Sequence, residues 1–436
     1  MLVGILGLSS RLSPPSAAPL RRLTPSSSLL LVCLSASSLL APISARHTAF
    51  HTQRALVSPS TCSVIRDTCP ALPGVRSFHS TSQHWRTAPH FTYQVAAAYS
   101  AKGERFDPNR NVFTAGPFNT IGEKVTDIRK CKAAVDKRKR PRSGQDAFFY
   151  SQVGTTETTA FGVADGVGGW VDSGIDPADF SHGLCEYMTC AARLWPHGAS
   201  SRKSLHPMDL LQVGYDEVIR DRDIVGGGST ACLAVAEPDG NVEVANLGDS
   251  GFMHLGLNAV RHTTQPQTHG FNTPFQLSKT PQRMLVQMAI FGGASALSDL
   301  PTEASITHHR VRHGDVLVFA TDGVWDNLSP QDVLGVVSRT MVDLGAWVDK
   351  NGVIEVGALL GPLAQPATHH HANKSSLQAR LATAIAKEAK ETSHNSRRDG
   401  PFAREVQKWY PGENWHGGKP DDIAVVVAVV VEDSAL

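Results

Sequence analysis

Four aspartates stand where apolar runs begin or end: Asp146 in Gly144-Gln145-Asp146-Ala147, Asp165 in Ala164-Asp165-Gly166-Val167-Gly168-Gly169, Asp322 in Ala320-Thr321-Asp322-Gly323, and Asp421 in Lys419-Pro420-Asp421-Asp422. Carboxylates at strand ends can converge on one rim of a sheet, and converged carboxylates repel unless cations lie between them. Hard oxygen ligands beside tight Asp-Gly turns suit magnesium or manganese, and a pair of such ions suits transfer of a phosphoryl group to water. On residue types and placement alone, the pattern reads as that of a metal-dependent phosphohydrolase.

The elements that must bring these carboxylates together are legible as hairpins and buried strands. Ala147–Val153 and Thr159–Ala164 are apolar strands around the polar turn Gly154–Thr158. Folding them about that turn places Asp146 and Asp165 at the same open end, on adjacent strands. Thr230–Ala236 and Val242–Leu247 flank Glu237-Pro238-Asp239-Gly240-Asn241, which brings Gly228-Ser229 beside Gly248-Asp249-Ser250. Asp315–Ala320 is a buried strand ending at Asp322-Gly323, and Ile423–Val431 is an unbroken Val-rich run starting just after Asp421-Asp422. Phe91–Tyr99 alternates as a strand. Helices are predicted over Pro177–Trp195, Pro207–Arg220, Pro330–Trp347 and Ser375–Glu391, with their Met and aromatic stripes read as core. No repeat and no βαβ rhythm is present, so the predicted class is α+β, antiparallel sheets covered by helices.

At 436 residues and a formal net charge of +1, the chain has room for a large core and gives no electrostatic case for nucleic acid. Its charge is unevenly spread. The first hundred residues carry arginines, no lysine and Asp67 as their only acid, in a background of Ser, Ala, Leu and Pro. That is the composition of a mitochondrial transit peptide, and Arg76–Ser82 looks like a matrix-processing site. Leu29–Ile43 is the competing feature, a signal-peptide core or short anchor for membrane association, but it falls short of the ~20 residues that span a bilayer. The expected organisation is a presequence over 1–90 and a catalytic domain over 91–436, with a basic loop near 101–143 and a polar insertion near 365–400. The run Lys137–Arg142 reads as solvated surface in preference to a phosphate-steering patch, and His369–His371 as loop in preference to a metal site. Seven cysteines without a Cys-x-x-Cys pair indicate no disulfide framework, and Cys185 and Cys190 are expected as buried reduced thiols.

Each motif alone is a common turn. Their ordered set is more specific: Gly-Gln-Asp-Ala, Asp-Gly-Val-Gly-Gly, Gly-Gly-Ser-Thr-Ala, Gly-Asp-Ser, Thr-Asp-Gly-Val-Trp-Asp and Gly-Lys-Pro-Asp-Asp-Ile. Over residues ~91–436 the chain resembles the metal-dependent protein phosphatases (the PPM, or type-2C, family), and within them the mitochondrial branch. The resemblance implies a four-layer sandwich, two antiparallel sheets flanked by pairs of helices, and a monomeric catalytic domain. It implies that Asp165 bridges two Mg²⁺ or Mn²⁺ ions, that the Gly166 carbonyl ligates one, and that Asp322 and Asp421 complete the other. Asp146 then holds a water behind the metals, Asp249 matches a position linked to a third, weaker ion, and Asp422 is the alternative to Asp421. The implied reaction is hydrolysis of phosphoserine and phosphothreonine by a metal-activated water without a phospho-enzyme, with Asp146, Asp165 and Asp322 essential.

Two positions depart from the family pattern: Val167 stands where a histidine read as general acid is common, and Gln145 where an acidic residue is usual. Arg142 is the candidate phosphate ligand, one position out of register. The expected partners are phosphorylated mitochondrial matrix proteins, with coenzyme Q biosynthetic enzymes suggested by the branch alone. Two rival readings fit part of the pattern. Gly248-Asp249-Ser250-Gly251 mimics a chymotrypsin-type nucleophile motif but has Phe252 where a further glycine is needed. A phosphatase-fold adaptor without turnover is the other, although such proteins usually lose the carboxylates kept here.

Overall fold

The structure, a computed structural model, describes residues 89–115, 140–196, 204–291, 297–365 and 376–433 and the single positions 128 and 137. The expected presequence up to residue 88, including Leu29–Ile43, and the His369–His371 run lie outside the described residues. The described elements belong to one compact unit, Ser82–Leu436.

The Ile423–Glu432 strand shows why the layers form. Ile423, Val425, Val427, Val429 and Val431 pack with Val333, Val337, Leu381 and Ile385 of two helices. The alternate residues Ala424, Val426, Ala428 and Val430 pack instead with Phe161, Val163, Cys232 and Val244. Successive side chains of a strand point to opposite faces, so a strand without a polar face requires a layer on each side. Each fully buried valine contributes roughly 1.5–3 kcal/mol.

A six-stranded sheet runs in the order Val112–Thr114, Phe91–Ser100, Ile423–Glu432, Val316–Ala320, Gly251–Gly256, Ala259–Thr263. A five-stranded sheet runs Ser305–Arg310, Asn241–Leu247, Ala231–Ala236, Thr159–Asp165, Asp146–Gln152. All of these pairings are antiparallel. Helices Pro330–Asp343 and Leu377–Ser393 cover the first sheet, and Pro177–Arg193 and Pro207–Arg220 cover the second. The architecture is the expected α+β sandwich of four layers.

The helices start where local chemistry predicts. Pro177 follows the N-cap Asp176, whose carboxylate accepts from the Ala178 amide at 3.1 Å, and Ser329 with Asp332 forms a capping box before Pro330. The helix predicted to run to Trp347 stops at Asp343, because Gly345 turns the chain at φ 72. Trp347 instead opens a small hairpin with Val353–Val356 and donates from its buried indole to the Gly314 carbonyl at 3.1 Å. Cys185 is a buried free thiol as expected, whereas Cys190 is disulfide-bonded.

Both sheets deliver carboxylates to one rim. Asp146 lies directly opposite Asp165 in the hairpin register. In the other sheet Ala320 pairs with Val425, so the chain leaving toward Asp322 and the chain arriving from Asp421 meet at the same edge.

Candidate active site

Thr321 joins the two sheets at the rim. Its hydroxyl donates to Asp146 Oδ2 at 2.7 Å and accepts from the Ala424 amide at 3.0 Å. Asp146 is therefore buried, 1% exposed, behind the more open Asp165, Asp322 and Asp421. Asp165 is held through its backbone: its carbonyl accepts from the Thr230 amide at 2.9 Å and the Ser229 hydroxyl at 2.8 Å. Gly166 follows in a cradle where an added Cβ would stand 2.8 Å from the Gln145 carbonyl oxygen, so the bare backbone is required.

The two neighbouring aspartates near residue 421 have different duties. Asp422 accepts from the Lys102 amide at 2.6 Å and from the Gln145 amide at 2.8 Å, which fastens three segments together. Gly144 and Gly323 press on it so closely that a Cβ at either would overlap Asp422. Asp421 faces the rim, with Oδ2 at 3.2 Å from Lys419 Nζ and Oδ1 at 3.5 Å from Lys102 Nζ. Asp421 is thus the ligand candidate and Asp422 the clasp.

Crowded negative charge has the expected electrostatic result. Burial, then neighbouring carboxylates, push Asp146 and Asp165 well above the usual carboxylate range. Burial and Asp322 raise Asp249 to about 7, and its Oδ1 is buried without a hydrogen-bond partner among the described residues. Burial and Asp322 likewise raise Asp326. These groups demand cations, and an all-oxygen donor set fits a hard divalent ion. Among the described residues no three His, Cys, Asp or Glu side chains close into a ready-made metal cage. Part of the bowl is instead drawn around Lys419, whose Nζ lies 2.8 Å from Asp322 Oδ2 and 2.6 Å from Asp326 Oδ2.

Asp146, Asp165, Gly166, Asp322, Asp421 and, at the margin, Asp249 are brought to one site. Arg142 is not. Its guanidinium pairs with Glu104 at 2.6 Å and lines a separate cavity of about 680 Å³ that contains none of the rim aspartates. Of the other described basic residues of that run, Lys137 pairs with Asp176 and Asp179, and Arg140 with Asp179. Val167 contributes its backbone amide, which donates to the Gly228 carbonyl at 3.0 Å. Asp326 and Lys419 stand outside the predicted site residues, yet both carry a sequence signal. Asp326 follows Asp322 by four residues on a helical turn, hence the same face. Lys419 precedes a proline, which favours extended backbone, and two residues on in extended chain Asp421 points the same way.

A groove of about 630 Å³ opens beside the bowl and shares Asp249, Ser250 and Asp326 with it. Its far wall is aromatic, built from Phe271, Trp325, and Phe402 and Trp409 of helix Pro401–Trp409.

No family model matches the chain. The protein phosphatase PTC7 homolog of Xenopus laevis is 33% identical over 293 residues, 66% of this chain and 82% of the frog protein. The human protein phosphatase PTC7 homolog is also 33% identical over 293 residues, 66% of this chain and 80% of its own length. Among solved structures, the photosystem II phosphatase PBCP aligns over 67% of this chain and 93% of its own at 24% sequence identity, with a TM-score of 0.47.

Proposed function

Because the chain belongs to the PTC7 group of metal-dependent protein phosphatases, the PPM or type-2C family, we propose that it hydrolyses phosphoserine and phosphothreonine in mitochondrial proteins. The observation that carries the reading is the meeting of two sheet edges at Thr321 and Asp146, which sets carboxylates from both sheets on one rim. Asp165, the Gly166 carbonyl, Asp322 and Asp421 would hold Mg²⁺ or Mn²⁺. Bound there, such ions neutralise phosphate charge and acidify water, at the neutral pH where water alone is a poor nucleophile.

The chain's own residues supply position. Thr321 fixes Asp146 by hydrogen bond, so Asp146 orients a water from behind and accepts its proton as attack proceeds. Water attacks phosphorus as the bond to the seryl or threonyl oxygen breaks; with Val167 offering no acid, the departing oxygen takes its proton from solvent, and no residue becomes phosphorylated. Asp422 keeps the Lys102, Gln145 and Asp421 segments in register while this happens. The polypeptide on one side of the phosphoresidue lies along the aromatic groove that continues from Asp249 and Asp326. The acid-poor, Arg- and Ser-rich first hundred residues support a mitochondrial address, matrix proteins are the proposed substrates, and enzymes of coenzyme Q synthesis are the class to test first.

The test is hydrolysis of a phosphothreonine peptide by the full-length chain with Mn²⁺. Activity should vanish with EDTA and fall by at least ~10³-fold in Asp322→Ala, since one lost ligand removes much of the charge stabilisation. Turnover that survives EDTA would reject the metal-dependent mechanism, and no turnover in excess Mn²⁺ would reject the reading in favour of a phosphatase-fold adaptor.

A further inference from the structure

Lys419 is placed with unusual care for a lysine beside an active site. Its backbone amide donates to Asn327 Oδ1 at 2.9 Å, and its carbonyl accepts from Asn327 Nδ2 at 2.9 Å. Asn327 is itself buried and also donates to the Gly323 carbonyl at 2.9 Å, so the lysine is clamped to the turn that carries Asp322. The side chain is only 14% exposed, and its ammonium lies 4.9 Å from the centre of the Phe402 ring. Three carboxylates then receive the ammonium: Asp326 at 2.6 Å, Asp322 at 2.8 Å and Asp421 at 3.2 Å. An ammonium has three donors and no acceptor; here two reach Asp326 and Asp322, the Asn272 side-chain oxygen accepts at 3.4 Å, and Asp421 adds an ion pair.

We propose that Lys419 is a built-in cation of the acidic bowl. Its ammonium stands at the Asp322–Asp326 end, where these carboxylates with Asp249 would otherwise hold a further divalent ion. The inference rests on the metal-dependent reading above and deepens it. A compact point charge fixed at this end repels a divalent ion placed among the same oxygens. The chain therefore takes one metal ion fewer than its carboxylates alone would allow. Lys419 also draws Asp322 and Asp421 toward one another before any metal arrives, which makes it a positioning residue.

The experiment is Mn²⁺ stoichiometry of the full-length chain, by calorimetric titration and by direct metal analysis after dialysis. Wild type is expected to saturate with two ions. Lys419→Met, which keeps the stem and removes the charge, should take up one ion more, and Lys419→Arg should restore the wild-type number. A wild type that saturates with three ions overturns the proposal, and so does a Lys419→Met protein with wild-type stoichiometry. The wild-type measurement decides even where the Met variant fails to fold. A wild type that binds no Mn²⁺ would instead strike the metal-dependent reading beneath it, a result distinct from either.

Discussion

Asp249 and Asp422 carry the same side chain at the same rim, and their surroundings give them opposite duties. Asp422 spends both oxygens on backbone amides of Lys102 and Gln145, so its charge serves as a clasp. Asp249 has a buried oxygen with no hydrogen-bond partner among the described residues and a pKa raised to about 7, by burial first and Asp322 second. The raised value has a signed consequence. Between the ordinary carboxylate range and about pH 7 the folded chain holds a proton that the unfolded chain has released, so this contribution to stability fades as pH rises through that window. In EDTA, Asp249→Asn should therefore stabilise the chain more at pH 8 than at pH 5, by roughly 3 °C or more in melting temperature. Equal effects at the two pH values would show that Asp249 is not under electrostatic strain. At this scale the sequence revealed the acids, but nothing in Asp421-Asp422 said which one faces the rim. The answer came from segments hundreds of residues away.

Turn chemistry carries most of what was legible at the scale of elements. The Gly154–Thr158 turn predicts the hairpin, and the hairpin sets Asp146 opposite Asp165 with no help from distant contacts. Helix Pro207–Arg220 likewise matches its predicted bounds, since Pro207 starts it and its apolar stripe has helical period. Helix Pro401–Trp409 lies outside the predicted helices, although Phe402, Val406 and Trp409 recur in it at helical spacing; it is short, and only Ala403 and Val406 are buried. Yet it supplies Phe402 and Trp409 to the groove beside the bowl. Trp409 is 56% exposed, so removing it should leave the core intact. Trp409→Ala is expected to raise KM for a phosphopeptide by roughly 5- to 30-fold, the worth of one aromatic contact of 1–2 kcal/mol. Its kinetics on a small aryl phosphate should stay at the wild-type level. A parallel loss on both substrates would remove the groove from the peptide-binding role.

The whole molecule depends on two sheets meeting face to face, and they are joined at more than the active rim. At one edge His309 of the five-stranded sheet packs against His262, Phe252 and His254 of the six-stranded sheet, with ring centres 4.7, 4.9 and 5.9 Å away. Burial first, then His262, His254 and His308, depress the His309 pKa to about 4. Asp315 is engaged by His254 at 2.8 Å, and Thr307 by His309 at the same distance. A histidine whose folded value lies below its unfolded value stabilises fully above about pH 6.5 and loses that contribution as pH falls toward 4. The raised rim carboxylates act in the opposite sense over the same range, so the His309 share is read by difference. From pH 7.5 to 5 the melting temperature of His309→Leu should fall less, or rise more, than that of wild type, and an identical change would place the acid sensitivity elsewhere. What the sequence determined by itself was the inventory of carboxylates, the pairing of Asp146 with Asp165, and strands too apolar to lie bare on either face. Those follow from turns and from a two-residue period, which act over a few positions. Only the tertiary structure decided that Thr321 reaches Asp146 across 175 positions, that Arg142 is drawn to Glu104, and that Lys419 sits among Asp322, Asp326 and Asp421. Such choices depend on which groups two sheets and their loops bring within 3 to 4 Å, and short-range patterns carry no record of that.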